Sequence, residues 1–176
     1  GKGILKEQVV EEGLPCIRYG EIYTTHDYIV NGFKSFIAFD VAQESQKIKK
    51  GDILFAGSGE TLEEIGKAVA FVGNEIAYAG GDIIILSTNG EINAECLAYA
   101  LETDIVRKQK RKLGQGHSVV HIYSSDLSTL KIPLPPLPEQ TAIAAVLSDM
   151  DAELAGLERR REKTRALKQA MMQELL

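Results

Sequence analysis

Five positive charges fall within six residues at Arg107-Lys108-Gln109-Lys110-Arg111-Lys112, and directly after them comes Gly114-Gln115-Gly116-His117-Ser118. Cations packed this densely suit the oxygens of a phosphate backbone, which they contact without regard to base. Glutamine, histidine and serine on a glycine-rich loop supply donors and acceptors of the kind that read base edges. The candidates for phosphate contact are therefore Lys108, Lys110, Arg111 and Lys112, joined by Lys67. The candidates for base edges are Gln115, His117, Ser118 and, on a separate glycine-rich turn, Ser58. A solvated helix end accounts for the same basic run without any ligand, since positive charge at a helix C-terminus also suits the dipole.

Other chemistries fit less well. Phe55-Ala56-Gly57-Ser58-Gly59 looks like the glycine-rich loop of S-adenosylmethionine methyltransferases. A DNA amino-methyltransferase also needs an Asn/Asp-Pro-Pro-aromatic segment, and Leu134-Pro135-Pro136-Leu137 lacks its polar and aromatic members. A P-loop fails on spacing, with six residues between Gly59 and Gly66, and on Ala68, which stands where a hydroxyl would hold Mg²⁺. His117 and His121 lie on a strand-like segment with no cysteine nearby to complete a zinc site. No GxSxG, HExxH or Asp-x-Glu-x-Lys pattern occurs. Binding is favoured over catalysis, with no metal and no cofactor of the chain's own. The alternatives are a methyltransferase fragment and an oligomerisation adaptor that ignores DNA.

The elements that must position these residues divide into two parts. Up to residue 132, short apolar runs alternate with turns: 14–19, 27–30, 33–39, 53–56, 68–72, 83–86 and 118–123 read as strands. Asn31-Gly32 signals a hairpin. Leu97, Leu101, Ile105 and Val106 recur at helical spacing within 91–112, with Asn93 as N-cap. The fold class expected is α+β, a strand-rich globular domain over 1–132. Ile132-Pro133-Leu134-Pro135-Pro136-Leu137-Pro138 then forms an extended hinge over 133–138. From 139 to 176 a helix of roughly 57 Å is expected. Its seam is Ile143, Leu147, Met150, Leu154 and Leu157, resumed by Leu167, Met171 and Leu175. With no partner expected inside its own chain, this stripe calls for a second chain and an intermolecular coiled coil.

Composition narrows the classes further. Of the 176 residues, 44% are apolar and 26% charged, which excludes collagenous and disordered chains. The balance of 20 Lys and Arg against 25 Asp and Glu gives a net charge of −5, which argues against indiscriminate coating of nucleic acid or anionic membrane. Cys16 and Cys96 form no CxxC pair and suit a reducing compartment. No apolar run reaches the ~18 residues of a membrane span, and neither a signal peptide nor an N-glycosylation sequon is seen. The chain is expected to be cytoplasmic, and its start, Gly1-Lys2-Gly3, without an initiator Met, is compatible with an excised fragment.

The order of domain, proline hinge and helix resembles the specificity subunits of type I restriction-modification enzymes. The matching residues are 13–22 (Gly13-Leu14-Pro15-Cys16-Ile17-Arg18-Tyr19-Gly20-Glu21-Ile22), Lys50-Gly51-Asp52-Ile53-Leu54-Phe55, Ala79-Gly80-Gly81-Asp82-Ile83 and 116–130. The most specific are Ile132-Pro133-Leu134-Pro135-Pro136-Leu137-Pro138-Glu139-Gln140 and the tail 167–176. The resemblance implies a target recognition domain joined to one conserved spacer helix. In that family each domain reads one half of a split DNA site. Its spacer helices pack antiparallel and dock methyltransferase subunits that bring S-adenosylmethionine, and an ATP- and Mg-using restriction subunit joins the complex. This chain departs from the family by holding one unit, which implies either a half-subunit that forms a homodimer or a fragment. A homodimer would read a palindromic split site, its rod spanning more than one ~34 Å turn of DNA. Arg18 matches a common family position and is expected to be structural.

Overall fold

The structure, a computed structural model, describes residues 3–116 and 118–175. Three small sheets make up the strand-rich part. The largest combines β1 (Val9–Val10), β2 (Leu14–Ile17), β3 (Ser35–Ile37), β4 (Gln46–Ile48) and β8 (Ala77–Ala79) in the order β1-β3-β2-β8-β4. Only the β2–β8 pair is parallel, with Cys16 opposite Tyr78 and Ile17 opposite Ala79. A second sheet places β5 (Asp52–Ala56) between β7 (Ala68–Ala70) and β9 (Ile83–Ser87), and β6 (Ser58–Gly59) pairs with β10 (Val120–His121). Helices α1 (Tyr19–Thr24) and α2 (Phe39–Glu44) lie among the strands, followed by α3 (Ala94–Leu101), α4 (Asp104–Leu113), α5 (Ser124–Leu127) and α6 (Leu137–Glu174). The α+β class and the long terminal helix are as expected.

The continuous apolar run of β5 makes sense once both faces are followed. Successive strand residues point to opposite sides. Leu54 and Ala56 enter one core with Ile17, Ile22, Val69 and Phe71. Ile53 and Phe55 enter another with Leu97, Leu101 and Val106 of α3 and α4. A strand buried on both faces loses the polar alternation of a solvated one, and β5 is buried at every residue.

Local details differ from the sequence reading in instructive ways. The strands flanking Asn31-Gly32 do not pair with each other. Ile29 bridges Ala70, while β3 pairs with β1 and β2, so Gly32 (φ +81°) turns the chain between sheets rather than within a hairpin. The strand expected over 14–19 stops at Ile17, and α1 begins at Tyr19, with Arg18 at the N-cap position. The helical spacing noted over 91–112 resolves into two helices, broken at Glu102-Thr103. Asn93 caps α3 as expected, its Oδ1 accepting the Cys96 N–H at 2.9 Å.

The apolar stripe of α6 is partly covered by its own chain, which corrects the expectation of no internal partner. The buried Gln140 bridges two elements: its Oε1 accepts the Asn93 N–H at 3.0 Å and its Nε2 donates to the Pro135 carbonyl at 2.8 Å. Ala144 is buried, Leu147 is half-buried, and the Tyr99 hydroxyl donates to Asp151 Oδ2 at 2.7 Å. The proline run is packed as well, with Ile132 and Leu134 resting on the second core. No helix among the described residues is long and apolar enough to cross a membrane.

One buried group makes the fold sensitive to pH. His26 is buried, its Nδ1 accepts the Asn31 N–H at 3.4 Å, and its Nε2 has no partner among the described residues. Burial pushes its pKa below the ordinary 6.5, nearby Lys67 and Lys34 push the same way, and Glu21 and Asp27 oppose them. The folded state therefore holds His26 neutral, while the unfolded chain protonates it as pH falls through 6.5. Stability is expected to be lower at about pH 5.5 than at about pH 7.5. Urea denaturation followed by circular dichroism checks this. In His26→Phe the share of the pH dependence due to this group disappears; an unchanged dependence would assign it to other residues.

Candidate nucleic-acid interface

The basic run lies on α4, and the packing of that helix sorts its charges into different roles. Lys108 and Lys112, four residues apart and so on one face, are exposed and without a partner among the described residues. Arg111 is exposed but ion-paired, its guanidinium 2.6 Å from Glu63 Oε1, while Arg107 reaches the Glu63 carbonyl at 3.4 Å. Gln109 faces the chain: its amide exchanges two 3.0 Å hydrogen bonds with the backbone of Lys131. The run is thus a helix face with two free cations rather than a uniform ridge.

Lys110 is a correction. It is 2% exposed, and its Nζ donates to Glu102 Oε1 at 2.7 Å and to the Gly66 carbonyl at 2.9 Å. Glu102 Oε1 also accepts the Ala68 N–H at 3.1 Å, so the pair clamps α3, α4 and the entry to β7 together. Gly66 sits at φ +67°, and a Cβ there would stand 3.3 Å from the Lys110 stem, so the turn needs glycine on both counts. Burial pushes the Lys110 ammonium below its ordinary range, with Glu102 opposing. A charge held this way does not reach a phosphate.

Two further candidates are also engaged internally. Lys67 is half-buried and donates to the His26 carbonyl at 2.7 Å, in a cavity of about 240 Å³ that it shares with Asp27, Tyr28, Glu64, Glu102 and Arg107. Ser58 is buried in β6. Its Oγ lies 3.1 Å from His121 Nδ1 and its carbonyl accepts the Tyr23 hydroxyl at 2.9 Å, so it holds β6 to β10 and α1 instead of facing a base.

Gln115 and Ser118 are exposed, unlike Ser58. The Gln115 backbone exchanges 2.8 and 2.7 Å hydrogen bonds with His121, which anchors the loop to β10 and leaves the Gln115 side chain exposed beside the end of α4. Ser118 is exposed in the same loop. His117 lies outside the described residues. Lys108, Lys112, Gln115 and Ser118 are thus the sequence-predicted candidates that remain exposed.

Sequence reasoning missed the residues that hold this surface in shape. Glu102, Glu63 and Lys131 carry no local signal, because their partners come from other elements. Strand β4 forms an open sheet edge where exposed Lys47, together with Lys49 and Lys50 just beyond it, deters further strand pairing. Neither cysteine serves as a reactive thiol. Cys16 is buried and pushed up to about 12, chiefly by burial, and Cys96 is raised for the same reason. Among the described residues no group of three His, Cys, Asp or Glu side chains is placed to hold a metal ion.

The comparison with known proteins agrees with this architecture. The family model described as the type I restriction modification DNA specificity domain matches residues 11–165. A putative type I restriction enzyme MjaX specificity subunit of Methanocaldococcus jannaschii is 32% identical over 173 residues, covering 93% of this chain and 39% of its own length. The EcoKI specificity subunit of Escherichia coli is 26% identical over 170 residues, covering 90% of this chain and 34% of its own. The chain therefore spans well under half the length of these relatives. Among solved structures, a chain of a type I restriction-modification system superposes with a TM-score of 0.61 at 20% identity, over 94% of this chain and 38% of that one. The S subunit from Thermoanaerobacter tengcongensis gives 0.56 at 21% identity, over 90% and 36%. With the strand-rich domain, the packed proline run and the long helix in the same order, the chain belongs to the type I restriction modification DNA specificity domain family.

Proposed function

We propose that this chain is a non-catalytic reading unit of a type I restriction-modification system, acting in the cytoplasm and recognising one half of a bipartite DNA site. The observation that carries the reading is the combination of two free, exposed lysines on α4 with exposed Gln115, its backbone anchored to β10, and exposed Ser118. The lysines fix position on the phosphates and the loop reads base edges. Residues 1–132 form the target recognition domain, and α6 docks methyltransferase subunits that bring S-adenosylmethionine. A restriction subunit brings ATP and Mg. Two copies associate through α6.

The charges of α6 favour an antiparallel pair. Residues 139–158 carry Glu139, Asp149, Asp151, Glu153 and Glu158 and no base, whereas residues 159–168 carry six bases against Glu162 alone. Antiparallel packing sets the acidic half of one rod against the basic half of the other; parallel packing sets like against like.

The reading is tested by DNA binding across a salt series, with methyltransferase subunits present. Lys108→Ala with Lys112→Ala is expected to weaken binding to all sequences alike and to reduce the logarithmic salt slope by about 2. Gln115→Ala is expected to change the preferred base at one position, by about 1–3 kcal/mol of discrimination. Wild-type affinity and salt slope in the double-lysine variant would place the DNA on another face.

A further inference from the structure

We infer that the cavity beside the β6–β10 ribbon is a cytosine-reading site, in which Glu60 accepts the amino group of the base and Tyr19 and Val119 pack against its C5 edge. This rests on the proposed reading of a DNA half-site by this domain, and it names one base and the residues that select it.

The cavity has a volume of about 410 Å³ and is lined by Tyr19, Tyr23, Gly59, Glu60, Glu64 and Val119, among others. It lies against the two-stranded ribbon in which Val120 stands opposite Gly59 and His121 opposite Ser58. One step further along that register Val119 comes opposite Glu60, and Val119 directly follows the exposed Ser118. The ribbon is firmly held. Ser58 Oγ lies 3.1 Å from His121 Nδ1, the Ser58 carbonyl accepts the Tyr23 hydroxyl at 2.9 Å, and the Gly57 carbonyl accepts the Ile122 N–H at 2.9 Å. The major groove of DNA admits a two-stranded ribbon. Glycine keeps the cavity open at residue 59, where a Cβ would stand 2.8 Å from the Tyr23 hydroxyl oxygen. Tyr19 and Val119 are exposed on its walls, apolar surface that the fold itself does not cover.

The acids around the cavity say what enters it. Glu63 is paired with Arg111 at 2.6 Å and Glu64 accepts the Thr61 hydroxyl at 3.3 Å, whereas the exposed Glu60 has no partner among the described residues. An ionised carboxylate only accepts hydrogen bonds and repels phosphates, so against DNA it is satisfied by the N–H groups of base edges. In the major groove these are the amino groups of cytosine and adenine. The two bases differ beside the amine. Adenine places its N7 acceptor there, which a carboxylate repels. Cytosine places its C5–H there, an apolar edge that suits Tyr19 and Val119. Thymine has the same shape but presents O4 in place of the amine, so Glu60 rejects the base that the walls alone would accept.

Selection of bound sequences from a random DNA pool, with methyltransferase subunits present, tests this. The wild-type chain is expected to select cytosine over thymine by at least about tenfold at one position of the half-site. Glu60→Gln carries an amide that accepts from cytosine N4 or donates to thymine O4, so the ratio at that position is expected to fall to about twofold or less. Every other position and the salt slope stay as in wild type. Placing 5-methylcytosine at that position extends the apolar edge, and is expected to tighten binding about threefold in wild type and not in Tyr19→Ala. Both side chains are exposed, and circular dichroism confirms that the variants are folded. A wild-type chain that reads a half-site while Glu60→Gln selects the same bases equally sharply overturns the cytosine site and leaves half-site reading standing. Uniformly tighter binding of Glu60→Gln to all sequences does the same, since the carboxylate then only repels phosphates. An equal methyl effect in wild type and Tyr19→Ala overturns the placing of the C5 edge. A wild-type chain with no sequence preference overturns both readings.

Discussion

Replacing Glu102 by alanine is expected to cost about 3–5 kcal/mol of folding stability, a large share of what a domain of this size possesses. The reason is the charge left behind. Lys110 Nζ is buried between Glu102 Oε1 at 2.7 Å and the Gly66 carbonyl at 2.9 Å. Without the carboxylate, the ammonium is stranded in an apolar setting, and the Ala68 N–H loses its 3.1 Å acceptor. Lys110→Met keeps most of the stem's volume and removes the charge, so its cost is expected to be clearly smaller than that of Glu102→Ala. Urea denaturation by circular dichroism measures both, since the chain has no tryptophan. The methionine variant carries a second readout. If Lys110 is structural, folded Lys110→Met binds DNA with the wild-type salt slope, whereas a phosphate-contacting lysine would lower that slope by about 1. Equal stability of Glu102→Ala and wild type would mean that the clamp contributes nothing.

The second large effect concerns association. Leu154→Asp with Leu157→Asp is expected to raise the dimer dissociation constant by at least about a thousandfold while leaving the folded chain as stable as wild type. These side chains are 58% and 53% exposed in the single chain, so the substitutions remove little intramolecular burial. In the pair each copy loses two apolar contacts and gains two carboxylates facing a shared seam. Leu147 is the wrong place for this test, because it is half-buried against its own domain and its replacement would confuse folding with association. Light scattering over a concentration series, with thermal denaturation as the control, separates the two. A dimer that survives with unchanged affinity would move the interface off this stripe.

The features legible from the sequence were those written in local pattern. Asn93 reads as a cap because capping involves residues only three apart, and Asn93 Oδ1 does accept the Cys96 N–H. The long helix reads clearly because its proline start and heptad spacing are contained within it. What was not legible depends on partners distant in sequence. Lys110 shares the helix face of buried Val106 and Lys108 the opposite one, but the carboxylate that makes a buried lysine tolerable, Glu102, comes from the end of α3. Ser58 looks like an exposed turn residue until β10, some sixty residues later, closes over it. The short strand Ala77–Ala79 has too little apolar bulk to stand out, yet it lies between β2 and β4 in the largest sheet. Within the basic run, only the tertiary packing distinguishes cations that face solvent from the one that holds the fold.

The junction between domain and rod bears on how two reading units would share one DNA molecule. Gln140 ties α6 to Asn93 and Pro135, and Tyr99 ties it to Asp151, so the proline run does not act as a flexible tether. In a dimer, engagement of one half-site would therefore hold the other domain at a set distance and angle. A floppy connection would spread that second domain over many orientations and dilute its effective concentration at the neighbouring half-site. The braced junction concentrates it at one spacing and withholds it from all others. Discrimination against wrongly spaced half-sites would then reside in the mechanical stiffness of this joint, at residues that touch no base.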